Sequence, residues 1–412
     1  MYYYKLNDKL LFSQSMYENL ENCTLEEIIN CNEVIYYLID RDPKSFRDSY
    51  CVSHIDLLFF KREGINLIDN CRIPMVTHKW IEDKINNNKI CAINTAYPNW
   101  KELLASKPNK KFRINIVGLG DVGGTLGIGL RLLGGDIIDK IGLYNIDSNA
   151  LNRWNYELNQ IYSIDKNQFP PVEMINEDNL FDCDLFAFCA SAFVPKVGSN
   201  VGDVRMVQFE KNAKILSHYA KLARKRNYKG IFAVVSDPVD LLCKVAFLES
   251  NKDSNNILDY KGLFPSQIRG YGLGVMHARA LYYSKENPKT LNYVDEGRAY
   301  GPHGNGLIIA NSICNYDEDL SLELTKKAKE ANLDVRGTGF KPFIAPALSS
   351  GALSLLATLR GDWNHSATFM GGVFMGAKNR LTSSGVEIER VKLPGKLYTR
   401  LVNTYEELVN II

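Results

Sequence analysis

No run of about 18 apolar residues occurs anywhere in the 412-residue chain, so a membrane-spanning helix is not expected. Charge of one sign is also missing. The formal net charge is +2, too small to gather nucleic acid or an anionic membrane surface. The nine cysteines are odd in number and form no CxxC pair, which argues against a disulfide framework and a zinc ribbon. No carboxylate/histidine spacing suggests a metal ligand set. Scattered thiols fit a reducing, cytoplasmic setting. The opening MYYYKLNDKLLF mixes acid and base and has no small-residue cleavage site, so it does not read as a secretion signal. What remains is an ordinary globular composition, 45% hydrophobic and 23% charged, long enough for two or three cores.

The chain divides by rhythm. Residues 1–110 read as a separate accessory block of small α/β type. EVIYYLI (33–39) and HIDLLFF (54–60) have the aromatic and β-branched content of short buried strands, and KWIEDKINNN (79–88) reads as a helix. ASKPNKK (105–111) has the composition of a linker. From Arg113 the pattern changes. RINIVGLG, KIGLYNID, DLFAFCASA and KGIFAVVSDP are apolar runs ending in small or polar residues, with helical spacing between them. Apolar strands alternating with helices predict a doubly wound parallel sheet over 111–242, with its ligand at the carboxyl ends of the strands. Residues 243–412 predict a second, α+β domain, with NKDSNNILDYK (251–261) as a surface insertion.

Between the first strand and first helix of that sheet stands G-L-G-D-V-G. Gly118 suits a tight turn, Gly120 the close approach of a pyrophosphate, and Gly123 close packing of helix on strand. Asp121 and Val122 open the helix whose N–H groups would face the phosphates. The predicted cofactor is therefore a dinucleotide. The second strand ends Y-N-I-D. Asn145 at the ribose position would bind hydroxyls without negative charge, and Asp147 follows. NAD is favoured and NADP left open.

These segments, together with C-A-S-A, VRMVQFEKNAKI, SDPVDLL, RGYG…AR and GPHGN in this order, resemble the lactate/malate dehydrogenase family over residues 112–412. The resemblance implies hydride transfer between nicotinamide and a 2-oxo/2-hydroxy acid, in a homodimer or homotetramer, with no nucleic-acid or membrane partner. The accessory block is then expected to alter that assembly or to cover the active-site mouth. His303 in GPHG falls on the family's proton-carrying histidine, a residue suited to the task near neutrality. Arg205, seven residues before Asn212, falls on the lid arginine that polarises the substrate carbonyl. Arg279 falls on the arginine that grips the carboxylate with a two-donor fork. Ala190 ends the strand beside the cofactor. Lys196, in the lid segment FVPKVGSNVGD, falls where a malate-type enzyme holds a second carboxylate, whereas apolar PFIAPALS (342–349) favours a monocarboxylate. The remaining histidines, including His54, His78, His218 and His365, read as ordinary polar residues.

Two positions depart from the family. Met276 stands where an aspartate normally anchors the histidine, and Asp237 stands where an asparagine is usual. Three readings stay open. Asp237 takes over the orienting of His303; Asp237 faces an amino group or an extra hydroxyl of an altered substrate; or the site has decayed to a nucleotide-binding sensor or assembly subunit. The first is favoured, because a carboxylate lost and one gained around a single imidazole compensate each other.

Overall fold

The computed structural model describes residues 1–70, 77–105, 111–162, 164, 169–192 and 204–411, with backbone alone for 204–207. The accessory block is built on β1 (Tyr2–Leu6), β2 (Lys9–Ser13), β3 (Glu21–Asn22), α1 (Leu25–Asn30), β4 (Ile35–Ile39), β5 (Ser49–Cys51), α2 (Lys79–Asn86) and β6 (Ile90–Asn94). Its sheet runs β3-β1-β2-β4-β6-β5, with β2, β4 and β6 parallel. The expected strand at 54–60 is instead a 3₁₀ turn, Ile55–Leu58. Leu57 and Leu58 are buried as the apolar run requires. Their carbonyls accept from the hydroxyls of Tyr50 and Tyr37 at 3.0 and 2.9 Å, so the run is buried without a strand neighbour.

The second body is the predicted α/β fold. It comprises β7 (Phe112–Val117), α3 (Asp121–Leu133), β8 (Ile138–Tyr144), α4 (Ser148–Asn159), β9 (Val172–Met174), β10 (Leu185–Phe188), α5 (Val204–Lys225), β11 (Ile231–Val234), α6 (Val239–Ser250) and β12 (Ile268–Gly270). These strands lie in the order β9-β8-β7-β10-β11-β12 and pair in parallel, the 3-2-1-4-5-6 order of a dinucleotide-binding sheet. Residues Leu185–Phe188 are fully buried, because helices cover both faces. The boundary expected at 242/243 falls inside α6, and the sheet continues to Gly270.

The rest carries α7 (Leu273–Ser284), α8 (Tyr293–Glu296), β13 (Arg298–Tyr300), β14 (Ile308–Ala310), α9 (Glu318–Gly337), a π-turn (Pro346–Ala352) running into α10 (Leu353–Arg360), β15 (Asn364–Met370), β16 (Val373–Thr382), β17 (Gly385–Ile388) and α11 (Gly395–Ile411). Strand β15 pairs antiparallel with β12, so β15, β16 and β17 extend the parallel sheet into one of nine strands. The accessory block does not stand apart. Phe12, Tyr37, Phe46 and Tyr50 share one apolar core with Met370, Met375, Val386, Ile388 and Leu401. No helix among the described residues is long and apolar enough to cross a membrane.

Candidate active site

The glycine turn is shaped by contacts that a Cβ would destroy. Gly118 has φ +91°, and a Cβ there would lie 2.4 Å from the Ala190 backbone nitrogen. The turn therefore touches the end of β10. At Gly123 a Cβ would fall 1.9 Å from the Gly118 carbonyl oxygen, which is the close helix-to-strand approach expected. At Gly120 a Cβ would meet no atom within 4 Å. That open side at the head of the 13-residue helix α3 suits a pyrophosphate. Val122 packs at the margin of the core, and Asp121 pairs with Lys341 at 3.0 Å. Gly123→Ala is expected to weaken NADH binding at least tenfold, read by fluorescence titration, because α3 must shift away from the turn.

The two candidate ribose residues are bonded into the fold. The Asn145 Oδ1 accepts from the Leu119 N–H at 3.2 Å, and its Nδ2 donates to the Asp147 carbonyl at 3.3 Å. The Asp147 carboxylate caps α4, accepting from the N–H groups of Asn149 and Ala150. Trp154 donates its indole N–H to the Leu119 carbonyl at 2.9 Å. The cofactor turn is thus held from behind by Asn145 and Trp154.

His303 and Asp237 meet directly. The imidazole Nδ1 lies 2.8 Å from Asp237 Oδ1, with the histidine side chain 18% and the aspartate side chain 48% exposed. A half-exposed carboxylate beside a mostly enclosed imidazole can fix the ring's tautomer and still face a ligand. The local sequence explains how each is held. Asp237 follows β11 in a turn with a cis Asp237–Pro238 bond. Its carbonyl accepts from the fully buried Asn212 side chain at 2.8 Å, and Asn212 in turn accepts from the Ala192 N–H at 2.9 Å. Ser236 donates to the Ala190 carbonyl at 2.7 Å. His303 lies between Gly301 and Gly304, both at positive φ, and packs against Gly272, where a Cβ would stand 2.8 Å from its own Cβ.

Met276 is buried among Leu273, Val275 and Tyr293, an apolar setting that offers His303 no carboxylate. One turn further along α7, Arg279 places Nη1 3.9 Å from the Met276 sulfur and 3.4 Å from the Ala328 carbonyl. Burial lowers the Arg279 pKa, and the charges of Tyr283 and Asp237 act against that. Asp237 thus bonds His303, and its negative charge also favours the charged form of Arg279. Lys196 lies outside the described residues. Arg205 lies in the first turn of α5, where the backbone alone is described.

His365 is not an ordinary polar residue. It is 8% exposed and stacks on His277, with ring centroids 4.0 Å apart. His277 Nδ1 also lies 2.9 Å from the Tyr293 hydroxyl. Burial, then the charges of Arg298 and Lys378, bring the His277 pKa down to about 4. The neutral imidazole is the form the fold accepts. Between about pH 6.5 and pH 4 the unfolded chain takes up a proton that the folded chain refuses, so stability falls with pH across that window. The loss is expected to reach on the order of 2–3 kcal/mol. Urea melts at pH 7 and pH 4.5 check this, and His277→Gln should reduce the difference, with His365 keeping a share because burial lowers its pKa as well.

Asp240, whose carboxyl is buried under the His303 backbone, is a site residue with little local signature in the sequence. The available signal was an acid in an otherwise apolar helix start, V-D-L-L-C. The same holds for Asn212, the clasp between the β10 end and the Asp237 turn.

A 3-2-1-4-5-6 parallel sheet with a glycine turn open at its second glycine defines a protein of the dinucleotide-binding class, and a histidine–carboxylate pair stands after β11. Residues 112–259 match the family model of the lactate/malate dehydrogenase NAD-binding domain. Residues 112–259 thus carry the NAD-binding domain of the lactate/malate dehydrogenase family. The malate dehydrogenase of Aliarcobacter butzleri is 22% identical over 321 residues, covering 73% of this chain and 96% of that protein. A lactate dehydrogenase from a Medee basin deep-sea metagenome library has the same fold, with TM-score 0.60 at 20% identity, over 73% of this chain and 98% of that one. The minor L-lactate dehydrogenase of Enterococcus mundtii aligns with TM-score 0.58 at 18% identity, over 73% and 97%.

Proposed function

We propose that the protein transfers a hydride between NAD and C2 of a 2-oxo/2-hydroxy carboxylic acid. The observation that carries this reading is the 2.8 Å contact of His303 with Asp237. The glycine turn would hold the pyrophosphate, and the nicotinamide, when bound, supplies or accepts the hydride. Arg279 binds the substrate carboxylate through its planar fork. Asp237 accepts from His303 Nδ1–H, which leaves Nε2 to deliver a proton to the 2-oxo oxygen or take it back. Arg205 brings a second guanidinium to that oxygen with the lid, and Lys196 is proposed to meet an acidic substrate side chain. The working form is proposed to be a cytoplasmic homodimer or homotetramer.

A second reading has one observation in its favour. The Asp237 side chain is half exposed, and a carboxylate facing a substrate pairs well with an amine. An NADH-oxidation assay over a panel of 2-oxo acids, with and without ammonia or simple amines, separates the two. Turnover of a 2-oxo acid alone, abolished by His303→Asn, supports the hydroxy-acid reaction. Turnover only with an amine present supports the second reading, and NADH binding without any turnover overturns both.

A further inference from the structure

Asp240 lies three residues after Asp237, in the first turn of α6, and is 5% exposed. Its Oδ2 accepts from the backbone N–H of His303 at 3.2 Å. Its Oδ1 is buried with no hydrogen-bond partner among the described residues. A carboxyl this enclosed is costly, and a satisfied core has no use for one. The groups around it do not relieve that cost. Asp237 opposes it with like charge, and Cys243 shares its helix. Lys244 lines the same small cavity with Leu241, Val373, Phe374 and Leu408, but its ammonium donates to the Gly372 carbonyl. Among the described residues, the one group Asp240 bonds outside its own helix turn is His303.

We propose that Asp240 is a positioning residue for His303, holding the backbone of the histidine while Asp237 holds its ring. The two carboxylates reach His303 from the two sides of one proline turn, so the Asp237–Pro238–Val239–Asp240 segment acts as a two-point clamp. GPHGN needs such a clamp. Gly301, Gly304 and Gly306 all sit at positive φ and bring no side chain of their own, so the imidazole is fixed by groups from outside the loop. Burial pushes the Asp240 pKa up to about 7, against the opposing pull of the His303 N–H. The carboxyl therefore spends much of its time protonated at neutral pH, and an asparagine is a close mimic of that form. This proposal rests on the reading of His303 as the proton carrier.

The test uses the full-length chain with selectively ¹⁵N-labelled histidine, the His303 amide being assigned by its disappearance in His303→Asn. Asp240→Asn retains an oxygen that can accept from the amide, whereas Asp240→Leu has the shape and no acceptor. In Asp240→Leu the His303 amide proton should move upfield and kcat should fall at least tenfold. KM and NADH affinity should stay within about twofold, since nothing that touches ligand has changed. Asp240→Asn should keep the amide position and most of kcat. An unmoved His303 amide in Asp240→Leu overturns the proposal, as does an unchanged kcat or an equal loss of kcat and NADH affinity. If the wild-type chain turns over no oxo acid, the functional reading has failed, and the amide position alone then decides whether Asp240 holds His303.

Discussion

Asp237→Ala is expected to lower kcat/KM about 10²–10³-fold while leaving NADH affinity within about twofold. The carboxylate contributes nothing to the glycine turn, so the cofactor site has no reason to change. What it contributes is the partner of His303 Nδ1 at 2.8 Å. Without it the ring loses both its orientation and its tautomer control, and the usual replacement is absent because Met276 offers a thioether in an apolar cluster. The family arrangement can be rebuilt as a check. Met276→Asp alone should be destabilising by a few kcal/mol, since it buries a carboxylate beside Leu273 and Tyr293. Combined with Asp237→Asn, the same substitution should restore at least tenfold of the activity that Asp237→Asn loses. The exchange of carboxylates is refuted by an Asp237→Ala protein with wild-type kcat/KM, whatever Met276→Asp does.

The parts of this site that were legible in the sequence are those with local signatures. G-L-G-D-V-G announces a turn because only glycine tolerates Gly118's φ and Gly123's contact with the Gly118 carbonyl. The apolar runs of β7, β10 and β11 announce a parallel sheet because both of their faces are buried. The partnership of Asp237 with His303 was one of three readings, since 66 residues separate them and distance alone chooses. Asp240 was invisible for the same reason, its partner being a backbone N–H that every residue but proline has. The run at 54–60 misled because burial of Leu57 and Leu58 is common to strand and 3₁₀ turn, and two distant tyrosine hydroxyls decide between them. The end of the nucleotide-binding sheet at Gly270 was likewise hidden, because β12 is three residues long and its neighbours are set by topology.

The same long-range packing predicts the fate of a chain cut free of its first 105 residues: it should be insoluble or molten, not an independently folded unit. A composition shift at Arg113 suggests a removable domain, but the core crosses that border. Met370, Val373, Met375, Val386, Ile388, Leu397 and Leu401 are each at most 5% exposed, and their cluster is completed by Phe12, Tyr37, Phe46, Tyr50 and Leu57. At about 1.5–3 kcal/mol for each large side chain left in water, exposing that face costs roughly 10–20 kcal/mol. A whole domain is stable by only about 5–15 kcal/mol. Polar groups add to the penalty. Arg390, its side chain 2% exposed, would lose Asp56 at 2.5 Å, and Ser266 would lose two hydrogen bonds to Asp48, at 2.8 and 2.6 Å. Expression of residues 106–412, followed by a solubility assay, near-UV circular dichroism and NADH titration, checks this. A soluble fragment that melts cooperatively within about 5 °C of the full chain would show that the shared core contributes little, and that these strands find another cover.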